Sequence, residues 1–395
     1  MFDALPEVSL KSDVAALRSV FRERGFYERP TAPVLVVWLA NLALGLGALA
    51  VFVTVPTWLV RVPAIVLSTM GMVALATIAH TASHNALSRQ NAWNRIIFYL
   101  SYPFLLQMSA RYWLYSHVQV HHPAPNIVGI DDDCDLRPSF AINDKHRASV
   151  RGWRRGLLSL QWLTLPLLLP FNGFNIQRQA WLRLWRELRD PELRSNDAVL
   201  DLACMLLHLA VFLVLPMFFW PPGFVVAVYL LRFSLIGMAL FAVLAPGHFP
   251  AEAVCLDQEQ RERGDFYLRQ SVATVNFRTG PIGRWLCSGL EFQIEHHMFP
   301  SISHVFYPQL VPLVQKLCER HGLPYRQLGW GEAIWKSYRV FLSPKPVRAD
   351  VESLRENRIS VGANAIVVAA APVVVGAAAP GLSDVQNASP TPMRA

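Results

Sequence analysis

Four stretches of this chain are apolar for about as long as a bilayer core is thick, and this limits its possible folds more than any other feature. A hydrocarbon core of about 30 Å takes roughly 20 residues of helix, and backbone inside it must satisfy its own hydrogen bonds. Residues 34–55 and 62–79 form two such runs, separated by a turn at Pro56, Thr57 and Trp58. Residues 198–220 and 223–245 form two more, meeting at Pro221 and Pro222. Each pair reads as a helical hairpin. The expected class is therefore an all-α membrane protein with four transmembrane helices in two hairpins. Two shorter runs, 96–108 and 157–171, read as interfacial or re-entrant, the second being broken by Pro166 and Pro170. If 96–108 crossed the membrane, the histidines on its two sides would lie on opposite faces.

Charge placement gives the orientation. Of 36 Lys and Arg, 34 fall in residues 1–32, 85–197 and 248–395, which share one side in a four-span chain. The positive-inside bias makes that side cytoplasmic, with both termini there. The exceptions are Arg61, at the outer edge of the second run, and Arg232, inside the fourth. A cation within a span is a functional candidate, or else a residue bonded to backbone carbonyls. The organisation expected is a cytoplasmic lead-in (1–32), a first hairpin (33–80), a cytoplasmic region (81–197), a second hairpin (198–247), a second cytoplasmic region (248–345) and a disordered low-complexity tail (346–395). In the lead-in, Leu17, Val20 and Phe21 make one stripe, expected to lie on the membrane surface. No cleavable signal peptide is read in the polar first 30 residues. Five Cys without CxxC spacing read as free thiols in a reducing compartment, neither a disulfide framework nor a zinc site.

Eight of the twelve His lie in four tight groups, all on the cytoplasmic side of this arrangement. His80 and His84 are four apart where the second run ends, so a continuing helix stacks both on one face. His117, His121 and His122 form the second group, His248 the third, and His296 with His297 the fourth. Adjacent residues diverge by about 100° on a helix, so neighbouring rings serve different ions more easily than one. Two adjacent pairs therefore suggest two metals, with His80, His84, His117 and His248 completing the shells in a cytoplasmic helical cap. Neutral imidazole suits iron, copper, nickel or zinc. Metal-binding rings usually donate their other N–H to a carboxylate or carbonyl. Candidates for that outer role are Asp131, Asp132, Asp133, Asp135, Glu291 and Glu295, with His304 as another outer group. His146, His208 and His321 stand outside the groups and read as structural.

HxxxH after a hairpin, a middle box ending in HH and a late QxxHH resemble the three histidine boxes of the membrane fatty acid desaturase and hydroxylase superfamily. The phrase Leu290-Glu-Phe-Gln-Ile-Glu-His-His-Met-Phe-Pro300 is similar to the third box of front-end and acyl-lipid desaturases, as is the approach from Gln270 to Asn276. The resemblance covers about residues 15–330. It implies a non-haem di-iron centre, O2 as co-substrate, and a double bond introduced into a fatty acyl lipid, acyl-CoA or acyl-carrier-protein substrate. At Gln293, where other members of that superfamily place a further histidine, it implies a position near a metal, as a weak ligand or through water. No nucleic-acid partner is expected. The middle box departs from the usual HxxHH: here it is HxxxHH, which also resembles membrane alkane hydroxylases. A hydroxylase or ketolase on the same scaffold is thus the alternative outcome, and a metal transporter a distant one. His117 and His122, five apart, would sit about 140° apart on a regular helix, so a local bulge or helix end is required for all three rings of the box to converge. The His-Pro-Gly-Gly haem motif of fused cytochrome domains is absent, so the expected donor is a separate ferredoxin or cytochrome.

Overall fold

A computed structural model describes residues 9–133, 136, 139–261 and 265–356 of the 395. The described chain is mainly helical. Four helices are long and apolar enough to cross a membrane: Thr31–Thr54, Trp58–Ser83, Asn196–Phe218 and Pro222–His248. They are the first to fourth spans below. The second begins earlier than its apolar run because Arg61 is accommodated at the turn, its Nε donating to Val55 O at 2.7 Å.

The second span is the hub. In its apolar window 72% of residues are buried inside the protein, against 22% in the first span, which therefore faces lipid along most of its surface. The first hairpin closes on small residues: a Cβ on Gly71 would stand 2.9 Å from Gly45 N and 3.1 Å from Asn41 O. Ser68 Oγ donates to Gly45 O at 2.8 Å in the same contact. Close backbone approach at small residues is the usual basis of helix association in lipid.

Neither short apolar run is a crossing. Residues 96–108 become helix Asn91–Tyr99 and a π-helical turn, Leu100–Leu105. The carbonyls of this turn are met by side chains of the third and fourth spans. His208 Nδ1 lies 2.6 Å from Phe104 O, and Arg232 Nη2 donates to Leu105 O at 3.3 Å. Residues 157–171 belong to helices Trp153–Ser159 and Gln161–Arg189, bent by 73° at their break. The ring centroids of His84 and His122 are 4.5 Å apart, as are those of His121 and His248. Only an even number of crossings between such neighbours permits that contact.

The histidine end is capped by short helices and four short strands: β1 (Cys255–Leu256), β2 (Asn276–Arg278), β3 (Gln327–Gly329) and β4 (Val347–Arg348). β1 pairs with β4 and β2 with β3, both parallel. β4 and the buried Val351 lie beyond residue 345, so packed chain extends into the region assigned to the tail; residues 364–379, the apolar part of that tail, lie outside the described residues. Helix Leu10–Glu23 corrects the expectation for the lead-in. Leu17 and Phe21 are buried in the cap, Phe21 edge-on to Phe299 at 5.0 Å, and do not lie on the membrane surface. Asp13 explains the difference: buried on the same face, it accepts from His321 Nε2 at 2.8 Å and anchors the helix to protein.

Replacing Gly71 by Val is expected to force the first hairpin apart, costing roughly 1–3 kcal/mol as overpacking does. A thermal unfolding midpoint in detergent no lower than the parent's would refute this role.

Candidate metal centre

The second span stays α-helical to Ser83, which puts His80 in its last turn and His84 at its C-cap. Four residues apart, their rings lie with centroids 4.9 Å apart. The middle box solves its spacing with a π-helix, Leu114–His121. His122 N donates to His117 O at 3.0 Å, the five-residue bond of that helix type. Residues 117 and 122 therefore stack, their Nε2 atoms 3.2 Å apart. Where convergence of all three rings was expected, His121 turns aside. His248 closes the fourth span, and helix Gln293–Met298 carries the last pair.

Two groups result. Ring nitrogens of His80, His84, His117, His122 and His296 all lie within 4.8 Å of one another, and those of His121, His248 and His297 form a second such set. Both adjacent pairs are split, one member to each group. The groups touch where His122 stacks on His297 at 4.4 Å. Asp133 also comes within reach of His117 and His121, but its side chain is half exposed.

Among the described residues, five ring nitrogens of these eight histidines find no hydrogen-bond partner although buried: His84 Nε2, His122 Nδ1, His248 Nδ1, His296 Nε2 and His297 Nε2. Buried polar atoms are nearly always bonded, so a converging set of unpaired ones needs an explanation. Transition-metal ions would explain it: a neutral ring nitrogen is a metal donor, and all five atoms belong to residues of the two groups. The residues present thus fit a pair of ions.

The other ring nitrogens are held by the cap. Asp131 Oδ2 lies 2.9 Å from His121 Nδ1 and accepts from Asn126 N at 2.7 Å. Tyr307 OH is 3.0 Å from His296 Nδ1, and Gln270 Oε1 2.9 Å from His297 Nδ1. Gln270 Nε2 also donates to His122 O at 2.9 Å, tying the second group of the sequence to the fourth. Trp113 stacks on His117 at 4.4 Å. Gln293 Oε1 stands 3.1 Å from His248 Nε2. Asn126, at φ +54°, donates its amide to His248 O and Ala273 O. Lys345 Nζ donates to His248 O at 2.9 Å and Ala253 O at 2.7 Å from the far end of the chain.

Several expected outer residues are placed otherwise. Glu295 accepts from Asn276 Nδ2 and Tyr325 OH and meets no imidazole; it fixes the helix, since Asn276 Oδ1 receives Ile294 N. Glu291 accepts from Gly289 N. His304 bonds Thr81 Oγ1 at 2.7 Å and so braces the second span beside His80. Asp132 is exposed, and Asp135 lies outside the described residues. Of the residues read as structural, His208 bonds Tyr229 OH and His321 bonds Asp13. Tyr307 and Lys345 carried no sequence signal; Gln270 did, as the first residue of the phrase leading to Asn276.

Burial pushes His84 down to about 3 and holds His117, His122, His296 and His297 well below the ordinary imidazole range, with neighbouring rings adding to the effect. These rings are neutral at pH 7, the form that coordinates. For His121 burial also disfavours the charge, but the Asp131 carboxylate outweighs it and pushes the ring up to about 9.

A family model described as fatty acid desaturase matches residues 56–329. The chain is 28% identical over 276 residues to the fatty acid desaturase 2-like protein FADS2B of Mus musculus, a match covering 68% of this chain and 53% of the relative. It is 26% identical over 335 residues to Delta(8)-fatty-acid desaturase 1 of Arabidopsis thaliana, covering 81% and 72%. To the sn-1 linoleoyl-lipid 6-desaturase of Synechocystis it is 27% identical over 259 residues, covering 63% and 70%. The chain thus spans about half the length of the mouse relative and more of the other two.

Two expectations follow from the geometry. Asp131→Asn removes the charge behind His121 and should weaken metal retention roughly 10- to 100-fold, read as metal per chain against graded chelator; unchanged retention would remove Asp131 from the site. In metal-stripped protein, His84 is protonated only in the unfolded chain between pH 6.5 and about 3, and the other lowered rings behave likewise from pH 6.5 downward. Their stabilisation is complete above 6.5 and lost as pH falls. His121 has the opposite sign, stabilising below 6.5 and losing its contribution as pH rises through about 9. Thermal midpoints should therefore drop on moving from about pH 7 to pH 5, and a rise would contradict the assignment.

Proposed function

This chain belongs to the fatty acid desaturase family, and from that premise we propose that it is an oxygen-dependent, non-haem di-iron desaturase that introduces a double bond into a fatty acyl chain at the membrane. The observation that carries this reading is the division of both adjacent histidine pairs between two nitrogen-donor groups in contact with each other. Two ions are what that arrangement fits, and His80, His84, His117, His122 and His296 would hold one while His121, His248 and His297 hold the other.

When bound, a redox-active iron pair supplies from O2 the oxidant that an unactivated methylene C–H bond requires. The chain's own residues do the rest. Asp131, Tyr307 and Gln270 fix the far nitrogens of His121, His296 and His297, which sets the orientation of the donor atoms. Trp113 and the buried end of the second span close the pocket to water. The site lies at the ends of the spans, so an acyl chain reaches it from the apolar region while a polar head stays at the interface.

The side is proposed to be cytoplasmic, on the positive-inside bias of 34 of 36 Lys and Arg. The electron donor is proposed to be a ferredoxin or cytochrome, and the substrate an acyl group on a lipid, on CoA or on acyl-carrier protein. The relatives' names, all desaturases, favour alkene formation over the hydroxylation that HxxxHH also suggests. A metal transporter would place ligands along the spans, whereas these donors gather at one end.

Expression in a host of known lipid composition, followed by mass spectrometry with double-bond mapping, tests the reading. A new alkene is expected, and a hydroxylated product without alkene would establish the alternative. His84→Ala, His121→Ala and His297→Ala should each abolish turnover and reduce iron per chain. Full activity in two of the three would refute the ligand assignment.

A further inference from the structure

A cavity of about 220 Å³ lies between the halves of the first, third and fourth spans that are remote from the histidines. Its walls include Leu46 and Leu49 of the first span, Phe212 of the third, and Phe224, Tyr229 and Arg232 of the fourth. Arg232 and His248 are sixteen residues apart on one helix, about 24 Å at 1.5 Å per residue, so the cavity is separate from the metal centre.

Arg232 is the unusual member. It is 2% exposed and sits ten residues inside the fourth span, about 15 Å from that helix's start at Pro222. A guanidinium has five donors. Here Nη2 donates to Leu105 O, and Nε is buried without a partner among the described residues. Its remaining support is aromatic: the Phe212 ring lies 5.0 Å away and the Phe233 ring 5.8 Å. Among the described residues, no carboxylate offsets the charge. The spans contain only Asp197 and Asp201, both at the histidine end of the third. A second cation stands by the cavity wall: Arg61, 5.8 Å from the Phe224 ring.

We propose that this cavity binds a single-chain amphiphile whose carboxylate pairs with Arg232. An in-span arginine ordinarily meets carbonyls or an opposite charge, and this one is supplied with a single carbonyl. A carboxylate matches the guanidinium fork and accepts two bonds from it. The aromatic and aliphatic walls take the chain. The depth of Arg232 argues against a phosphate head tethered to two chains, which stays in the headgroup layer.

The test uses the full-length protein as purified in detergent, without an electron donor, so that no turnover occurs and the result is independent of the desaturase reading. Equilibrium binding of radiolabelled oleate is compared with that of oleyl alcohol and phosphatidic acid. Wild type is expected to hold one saturable oleate at least tenfold more tightly than the alcohol. Arg232→Met should lose that site. Leu49→Trp, which fills the cavity and keeps the arginine, should lose it too, and serves if the first variant fails to fold. Equal binding of oleate and alcohol, phosphatidic acid competing as tightly as oleate, or oleate binding unchanged in Leu49→Trp would each overturn the proposal.

Discussion

Burying eight imidazoles in one pocket is the constraint on which the histidine end depends. Five of their ring nitrogens are left without hydrogen bonds, and an unmet buried donor or acceptor costs about 1–3 kcal/mol. Together these penalties approach the ~5–15 kcal/mol by which a whole domain is stable. Such a pocket persists only if the rest of the fold holds it. The cap does the holding through Asp131, Gln270 and Tyr307, each bonded to the side of a ring that faces away from the centre. Metal ions in the two groups would satisfy remaining nitrogens, and metal binding would then add to folding stability.

The same constraint explains two pieces of unusual backbone. An α-helix would send His117 and His122 to different sides, so the segment is wound as a π-helix and its five-residue bond restores the stack. Asn126 takes a left-handed conformation a few residues later. That lets its backbone meet Asp131 while its amide reaches the carbonyls of His248 and Ala273, so one residue joins the middle box to the end of the fourth span. Lys345 reaches the same His248 carbonyl from beyond the family-matched region. The fourth span is therefore locked at its histidine end from two directions, and its opposite half is left to line the cavity around Arg232.

Much of this was legible in the residue order. The four spans follow from run length, and the exclusion of the short runs from parity. The split of adjacent histidines follows from the angle between neighbours on a helix. The need for a bulge in the middle box follows from the same angle. Asp131 was legible as an acid near the box, but its separation from Asp132 and Asp133, its equals in sequence, was not. Glu295 lies beside the ligand pair in sequence yet bonds Asn276 and Tyr325, because neighbours on a short helix point apart. Leu17 and Phe21 form a stripe that suits a membrane surface or a protein core equally. Only Asp13 on the same face, with His321 more than 300 residues away, decides for the core.

By itself the sequence determined which four segments of the described chain are long and apolar enough to cross a bilayer, which residues have donor chemistry, and that those donors suggest two sets. These are consequences of length, polarity and helical period, all properties of neighbours along the chain. Which nitrogen faces a centre and which faces a bracing group was decided only by tertiary structure, as was the choice of Tyr307 and Lys345 as partners. Those contacts join segments far apart in sequence, and their selection depends on ångström-scale packing that no local pattern encodes.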